Sequence, residues 1–258
     1  MPCGFSKLFK EIELVSRLLT DRGWAEKNAG NLSIDITQES RVFCKFNSDE
    51  IKLDTTYENL KNRIFLMTYS GSKFRDIAEN ARERLLTIRI NERGDGYRIS
   101  SRALDRRPTS ELRTHLKIHN FLRGIKSDDN VVLHTHPTEL IALSHIKRYR
   151  TSEDLNKLLV SAHPEVYINL RGKIGFVRYA LTGSESLAAN TLKALRDGKR
   201  LIVWERHGAL SIDKDVITTF DNLDIANKAA QIALLLFKSG FQPICLSRRE
   251  LKELDSLI

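Results

Sequence analysis

The 258-residue sequence predicts a mixed α/β protein forming a single domain over residues 1–258. Segments with helical and strand-like hydrophobic spacing alternate from one end to the other. No internal repeat or low-complexity linker divides them, and a hydrophobic content of 41% over this length suffices for a full core.

The first element is a helix over residues 6 to 20, with Leu8, Ile12, Val15 and Leu19 on one face. Gly23 and the polar stretch Asn28-Ala29-Gly30 turn the chain into short strands near Leu32 to Ile34 and Val42 to Phe46. A strand from Arg63 to Thr68 leads into the loop Tyr69-Ser70-Gly71-Ser72-Lys73. Leu85 to Ile90 and Tyr97 to Ser101 read as a hairpin around Arg93-Gly94-Asp95-Gly96, where glycine permits a tight turn. Helices are expected near 110 to 123, 138 to 147, 152 to 161 and 184 to 197. Val166 to Leu170 and Gly175 to Tyr179 read as a strand pair across Arg171-Gly172-Lys173. Leu201 to Trp204 is strand-like, and a helix from Val216 to Lys238 carries Leu223, Ala226, Ala230 and Leu234 on its apolar face.

Composition narrows the function. The start lacks the long apolar stretch of a signal peptide, and the most apolar run, Ile232 to Phe237, is too short to span a membrane. Cys3, Cys44 and Cys245 are odd in number, far apart and without a C-x-x-C pair, which favours reduced thiols and a cytoplasmic location. The net charge of +9 comes from scattered basic clusters mixed with acids, which suits anionic small molecules and gives no nucleic-acid-binding stripe.

Chemistry concentrates in a few residues. His134 and His136 close an apolar run, and because strand side chains alternate in direction, both imidazoles point to one side and can grip one cation. His207 follows the run Leu201 to Trp204, and Glu111 precedes a helix. Three neutral imidazoles suit zinc and leave a coordination position open, the arrangement of catalytic zinc. An H-x-H pair alone is common at strand ends and usually binds nothing; His115, His119, His145 and His163 read as helix-surface or core residues. The loops Asn28 to Ser33 and Ser70 to Lys73 combine glycines with amide, hydroxyl and ammonium donors suited to a phosphate, although neither has P-loop spacing and each also fits an ordinary turn. Thr109 or Ser110 can cap the following helix, whose N-terminus favours anions.

In order, the motifs NAGNLS, YSGSKF, PTSEL, HTHPTELIALS and WERHG resemble the class II aldolase/adducin family, most closely its rhamnulose-1-phosphate aldolase branch, from about Trp24 to the C-terminal helix. The resemblance implies a mostly antiparallel central sheet covered by helices, a homotetramer with active sites between subunits, and a divalent metal, normally Zn2+, acting on a phosphorylated ketose. Carried onto matching positions, the metal ligands are His134, His136 and His207, and Glu111 is the general acid/base. Asn28, Gly30, Asn31, Ser70, Gly71, Thr109 and Ser110 surround the phosphate, and Glu165 is a second functional glutamate acting at a neighbouring subunit's site. The implied reaction cleaves L-rhamnulose 1-phosphate to dihydroxyacetone phosphate and L-lactaldehyde. A fuculose-phosphate aldolase, a pentulose-phosphate epimerase and a noncatalytic adducin-head-like interaction module are the alternatives within the same resemblance.

Overall fold

The computed structural model describes residues 3–38, 45–46, 48–100, 103–244 and 246–256. Its helices and strands follow in the order α1 (Cys3–Asp21), β1 (Asn31–Asp35), β2 (Ile51–Lys52), β3 (Ile64–Met67), α2 (Phe74–Ile77), α3 (Ala81–Arg84), β4 (Leu86–Ile90) and β5 (Gly96–Ile99). Then come α4 (Leu112–Gly124), β6 (Val131–Thr135), α5 (Thr138–Ser144), α6 (Ser152–Ala162), α7 (Pro164–Leu170), β7 (Ile174–Val177) and α8 (Glu185–Arg196). The chain closes with β8 (Leu201–Trp204), β9 (Gly208–Asp213), α9 (Val216–Lys238) and α10 (Arg248–Asp255).

Among the described residues the strands form one nine-stranded sheet in the order β2-β5-β4-β3-β1-β6-β9-β8-β7. Neighbouring strands run antiparallel except β7 and β8, so the mostly antiparallel sheet expected from the family resemblance is present. Side-chain alternation then sorts residues between two helical layers. Leu32 and Ile34 of β1, with Val131 and Leu133 of β6, join the core under α1, α5, α6 and α9. Val132 of β6, with Ile202 and Trp204 of β8, packs on the opposite side against Ile118 and Leu122 of α4 and Leu187 and Leu195 of α8. Leu133 is fully buried, so truncating it to alanine costs about 2–5 kcal/mol.

Helix α9 lies close to the sheet because Ala226, Ala229, Ala230 and Ala233 on its inner face are small and fully buried. Its start is fixed by Asp215, whose carboxylate accepts from the Thr218 N–H at 2.8 Å. Among the described residues no helix is long and apolar enough to cross a membrane.

The strand expected over 166–170 is a helix. Pro164 occupies the first turn, where its missing N–H costs nothing, and the His163 ring caps it by accepting from the Glu165 N–H. Val166, Tyr167 and Leu170 are buried at helical spacing, so tertiary packing overrides the β-branched and aromatic content that favours a strand. Strand β7 exists, but it pairs in parallel with β8 rather than forming a hairpin. Of the strand expected at 42–46, residues 42–44 lie outside the described residues, and Lys45 and Phe46 form no strand.

Candidate active site

Histidine rings from two turns of the chain meet at one end of β6. His134 faces Asn31 of β1 on one side and Leu210 of β9 on the other, so the sheet register fixes its backbone. His136 follows the last residue of β6, where its N–H donates to the Trp24 carbonyl at 2.9 Å. His207 sits in the tight β8–β9 connection, held by its N–H to the Trp204 carbonyl and by the left-handed backbone of Arg206. The ring centroids lie 5.2 Å apart for His134 and His136, 4.8 Å for His134 and His207, and 5.3 Å for His136 and His207. One nitrogen from each ring falls within 4.8 Å of the other two, a spacing that a single cation can bridge.

Gly208 makes this convergence possible. A Cβ there would stand 2.5 Å from the Thr135 carbonyl oxygen, 2.8 Å from His134 Cε1 and 2.9 Å from His136 Cδ2. Gly30 does the same for the facing loop, since its Cβ would approach the His134 carbonyl to 2.7 Å. Trp204 forms a rigid wall, its ring 4.5 Å from that of His134, with its indole N–H donating to Thr191 of α8 at 3.0 Å.

Hydrogen bonds leave ring lone pairs for an ion. His134 Nδ1 donates to the Ala209 carbonyl at 3.0 Å, and His136 Nδ1 donates to Glu26 Oε1 at 2.7 Å, so each Nε2 is free to coordinate. Burial and the neighbouring rings push the His134 pKa well below its ordinary value, and burial with His136 pushes His207 down to about 4. The rings of His134 and His207 are therefore neutral near pH 7, the state that binds metal. This donor set fits a divalent transition metal.

Glu111 stands just before α4 and is only 1% exposed. Burial raises its pKa to about 7, against a counteracting bond from Asn31 Nδ2 at 3.1 Å. A carboxyl titrating near neutrality is suited to exchanging protons with a substrate. Asn31, which reaches it, is the register partner of His134.

Three loops meet beside this carboxyl. Thr68 Oγ1 accepts from the Leu32 N–H at 3.1 Å, the Ser70 N–H donates to the Arg107 carbonyl at 2.9 Å, and the Thr109 N–H donates to the Thr68 carbonyl at 3.2 Å. The candidates Gly30, Asn31, Ser70, Gly71, Thr109 and Ser110 are thereby gathered on adjoining turns, with Asn28 on the exposed approach to β1. Neither Thr109 nor Ser110 caps α4 as expected: the cap position is Glu111 itself, without a side-chain cap bond. Thr109 Oγ1 instead accepts from the Glu111 N–H at 3.4 Å. Glu165 is not brought to this group within one chain; it is exposed on α7, with its carboxylate bonded by Asn169 at 3.3 Å.

Sequence reasoning missed Glu26, Trp204 and Gly208, whose value lies in contacts across the fold. His115 and His119, read as helix-surface or core residues, are core residues: both are fully buried, and their spacing of four places them on the helix face of Glu111.

The family model described as Class II Aldolase and Adducin N-terminal domain matches residues 10–234. A rhamnulose-1-phosphate aldolase from Bacteroides thetaiotaomicron is 33% identical, covering 96% of this chain and 94% of that protein. One from Yersinia pseudotuberculosis is 28% identical over 89% of this chain and 85% of its own length. Among solved structures, a sugar-phosphate aldolase from Thermotoga maritima superposes with a TM-score of 0.81 at 28% identity, covering 93% of this chain and 99% of that one. An L-fuculose 1-phosphate aldolase aligns with a TM-score of 0.63 at 20% identity over 98% of this chain and 96% of its own, which speaks to the fold alone.

Proposed function

The chain belongs to the class II aldolase and adducin family, and on that premise we propose that it is a metal-dependent aldolase that reversibly cleaves L-rhamnulose 1-phosphate. The observation that carries this reading is the convergence of three imidazoles beside a buried glutamate of near-neutral pKa. The choice of substrate follows the 33% identical rhamnulose-1-phosphate aldolase that matches 96% of the chain.

His134, His136 and His207 hold a divalent cation, Zn2+ by the nature of the donors. When bound, it supplies Lewis-acid stabilisation for the negative charge that cleavage between C3 and C4 leaves on the dihydroxyacetone phosphate fragment. In the cleavage direction the C4 hydroxyl proton passes to solvent as the aldehyde carbonyl forms and Glu111 delivers a proton to C3; in the synthetic direction Glu111 removes the C3 proton and the new C4 oxygen takes one up from solvent. Its carboxyl is held by Asn31, so the proton is exchanged at a fixed place. Asn28, Gly30, Asn31, Ser70, Gly71, Thr109 and Ser110 bind or shape the phosphate site, and the net charge of +9 favours the anion's approach. The remaining product is L-lactaldehyde.

Glu165 acts at the site of a neighbouring subunit in a homotetramer, which its exposed position away from its own chain's histidines allows. The chain works as one domain, in the cytoplasm, where three unpaired-by-spacing cysteines remain reduced, and its partners are phosphorylated sugars rather than nucleic acid. An assay of purified, zinc-supplemented protein on the 1-phosphates of L-rhamnulose and L-fuculose and on ribulose 5-phosphate tests the reading. Dihydroxyacetone phosphate should form fastest from the rhamnulose ester. Faster cleavage of fuculose phosphate, or epimerisation of the pentulose, would replace it.

A further inference from the structure

A buried file of polar residues runs away from Glu111 between β1 and α4. Alternation along β1 turns Asn31, Ser33 and Asp35 toward α4, where Glu111, His115, His119 and Arg123 recur every four residues along one helix face. Asn31 Nδ2 donates to Glu111 Oε2 at 3.1 Å, and its Oδ1 lies 2.5 Å from His115 Nε2. Ser33 Oγ lies 2.6 Å from His115 Nδ1 and 2.8 Å from His119 Nε2. Ser33, His115 and His119 are 0% exposed, so water cannot substitute for any of these partners.

The chain of bonds admits two directions. In one, the His119 Nε2–H donates to Ser33, Ser33 donates to His115 Nδ1, and the His115 Nε2–H donates to the Asn31 carbonyl oxygen, leaving the amide N–H for an ionised Glu111. In the other, every donor is reversed: Glu111 must be protonated to donate to Asn31, and His119 must carry its proton on Nδ1. That nitrogen is buried and has no hydrogen-bond partner among the described residues. The positive charges of Arg63 and Arg123 act on the same ring, while Asp35 is bonded by Arg63 at 2.8 Å. A lone pair is tolerated on Nδ1 beside two cations, whereas a buried N–H without an acceptor is not. Burial also holds both rings neutral, each driven down to about 3.

We propose that Ser33, His115 and His119 are positioning residues for the aldolase reaction: their hydrogen-bond chain, polarised from His119 toward Glu111, fixes the Asn31 amide so that it donates to Oε2 of the carboxylate. Among the described residues Oε1 accepts no hydrogen bond, and this is the oxygen left to exchange the proton with substrate. The inference rests on the aldolase reading for its consequence, but not for its hydrogen-bond direction.

Two measurements test it. A neutron crystal structure of the full chain near pH 7 should show deuterium on Nε2 of both His115 and His119 and none on His119 Nδ1. Deuterium on His119 Nδ1 overturns the polarity, whatever reaction the protein performs. Ser33→Ala should lower kcat by at least about tenfold while KM and metal content stay near wild type, because the carboxyl loses its fixed orientation. Ser33→Thr, which keeps the hydroxyl, should recover most of that loss. A folded, metal-loaded Ser33→Ala protein with unchanged kcat overturns the positioning role. If the wild-type chain cleaves no sugar phosphate, the aldolase reading fails, and the neutron result alone decides the direction of the chain; it also decides if Ser33→Ala does not fold.

Discussion

The histidines at the end of β6 and those buried under α4 differ in what their ring nitrogens have left to give. His134 and His136 each place Nδ1 on a protein acceptor and leave Nε2 without a protein partner among the described residues, in rings that cluster with His207. His115 engages both ring nitrogens within the fold, and His119 engages one while the other is sealed from solvent. What sets the first group apart as candidate ligands is a ring nitrogen that the fold leaves unused. Residue type and spacing are common to both groups.

The largest effects should come from erasing that difference. His207→Ala removes one of the three candidate ligands, and it should abolish tight metal binding and lower cleavage by about 10³-fold or more. Metal content and steady-state rates on the same sample check this. Glu111→Gln leaves the cluster intact and should lower kcat by roughly 10²–10⁴-fold with metal retained; undiminished turnover rejects the glutamate as the proton carrier. Glu26→Ala probes the support beneath a ligand. Without the carboxylate 2.7 Å from His136 Nδ1, metal affinity should fall by about 10–100-fold, measured by competition with a chelator.

The smallest of these changes concerns stability. Folded His115 and His119 titrate at about 3 and His207 at about 4, all below the ordinary 6.5. Their contribution to stability is present above 6.5 and is lost as pH falls toward those folded values, because the unfolded chain takes up protons first. Glu111 opposes them: raised from 4.5 to about 7, its contribution is present below 4.5 and is lost as pH rises through about 7. Between about 4.5 and 6.5 the histidines outnumber it, so urea denaturation of metal-free protein should show stability rising with pH. His119→Leu should flatten that rise.

How much of this was legible in the sequence follows from the range of the interactions involved. The helix Val216–Lys238 and the strand Leu201–Trp204 were read with their observed bounds, because their hydrophobic spacing is a local property. The three ligand candidates were visible because H-x-H ends an apolar run and WERHG follows another. Residues 166–170 were misread because Val166, Tyr167 and Ile168 carry strand propensity, while the proline start and His163 cap that make them helical act through geometry. Gly208 and Glu26 were invisible for a different reason: each matters only through side chains that the sheet register brings beside it. His115 and His119 stood at a readable spacing from Glu111, but their meaning depends on Ser33, on a strand 82 and 86 residues away.

Metal content and cleavage of L-rhamnulose 1-phosphate, followed together through chelation and zinc readdition, probe the histidine cluster most directly. A single divalent ion per chain should leave with the activity, and added zinc should return both. Full cleavage by protein stripped of metal would contradict the assignment of His134, His136 and His207 to the reaction.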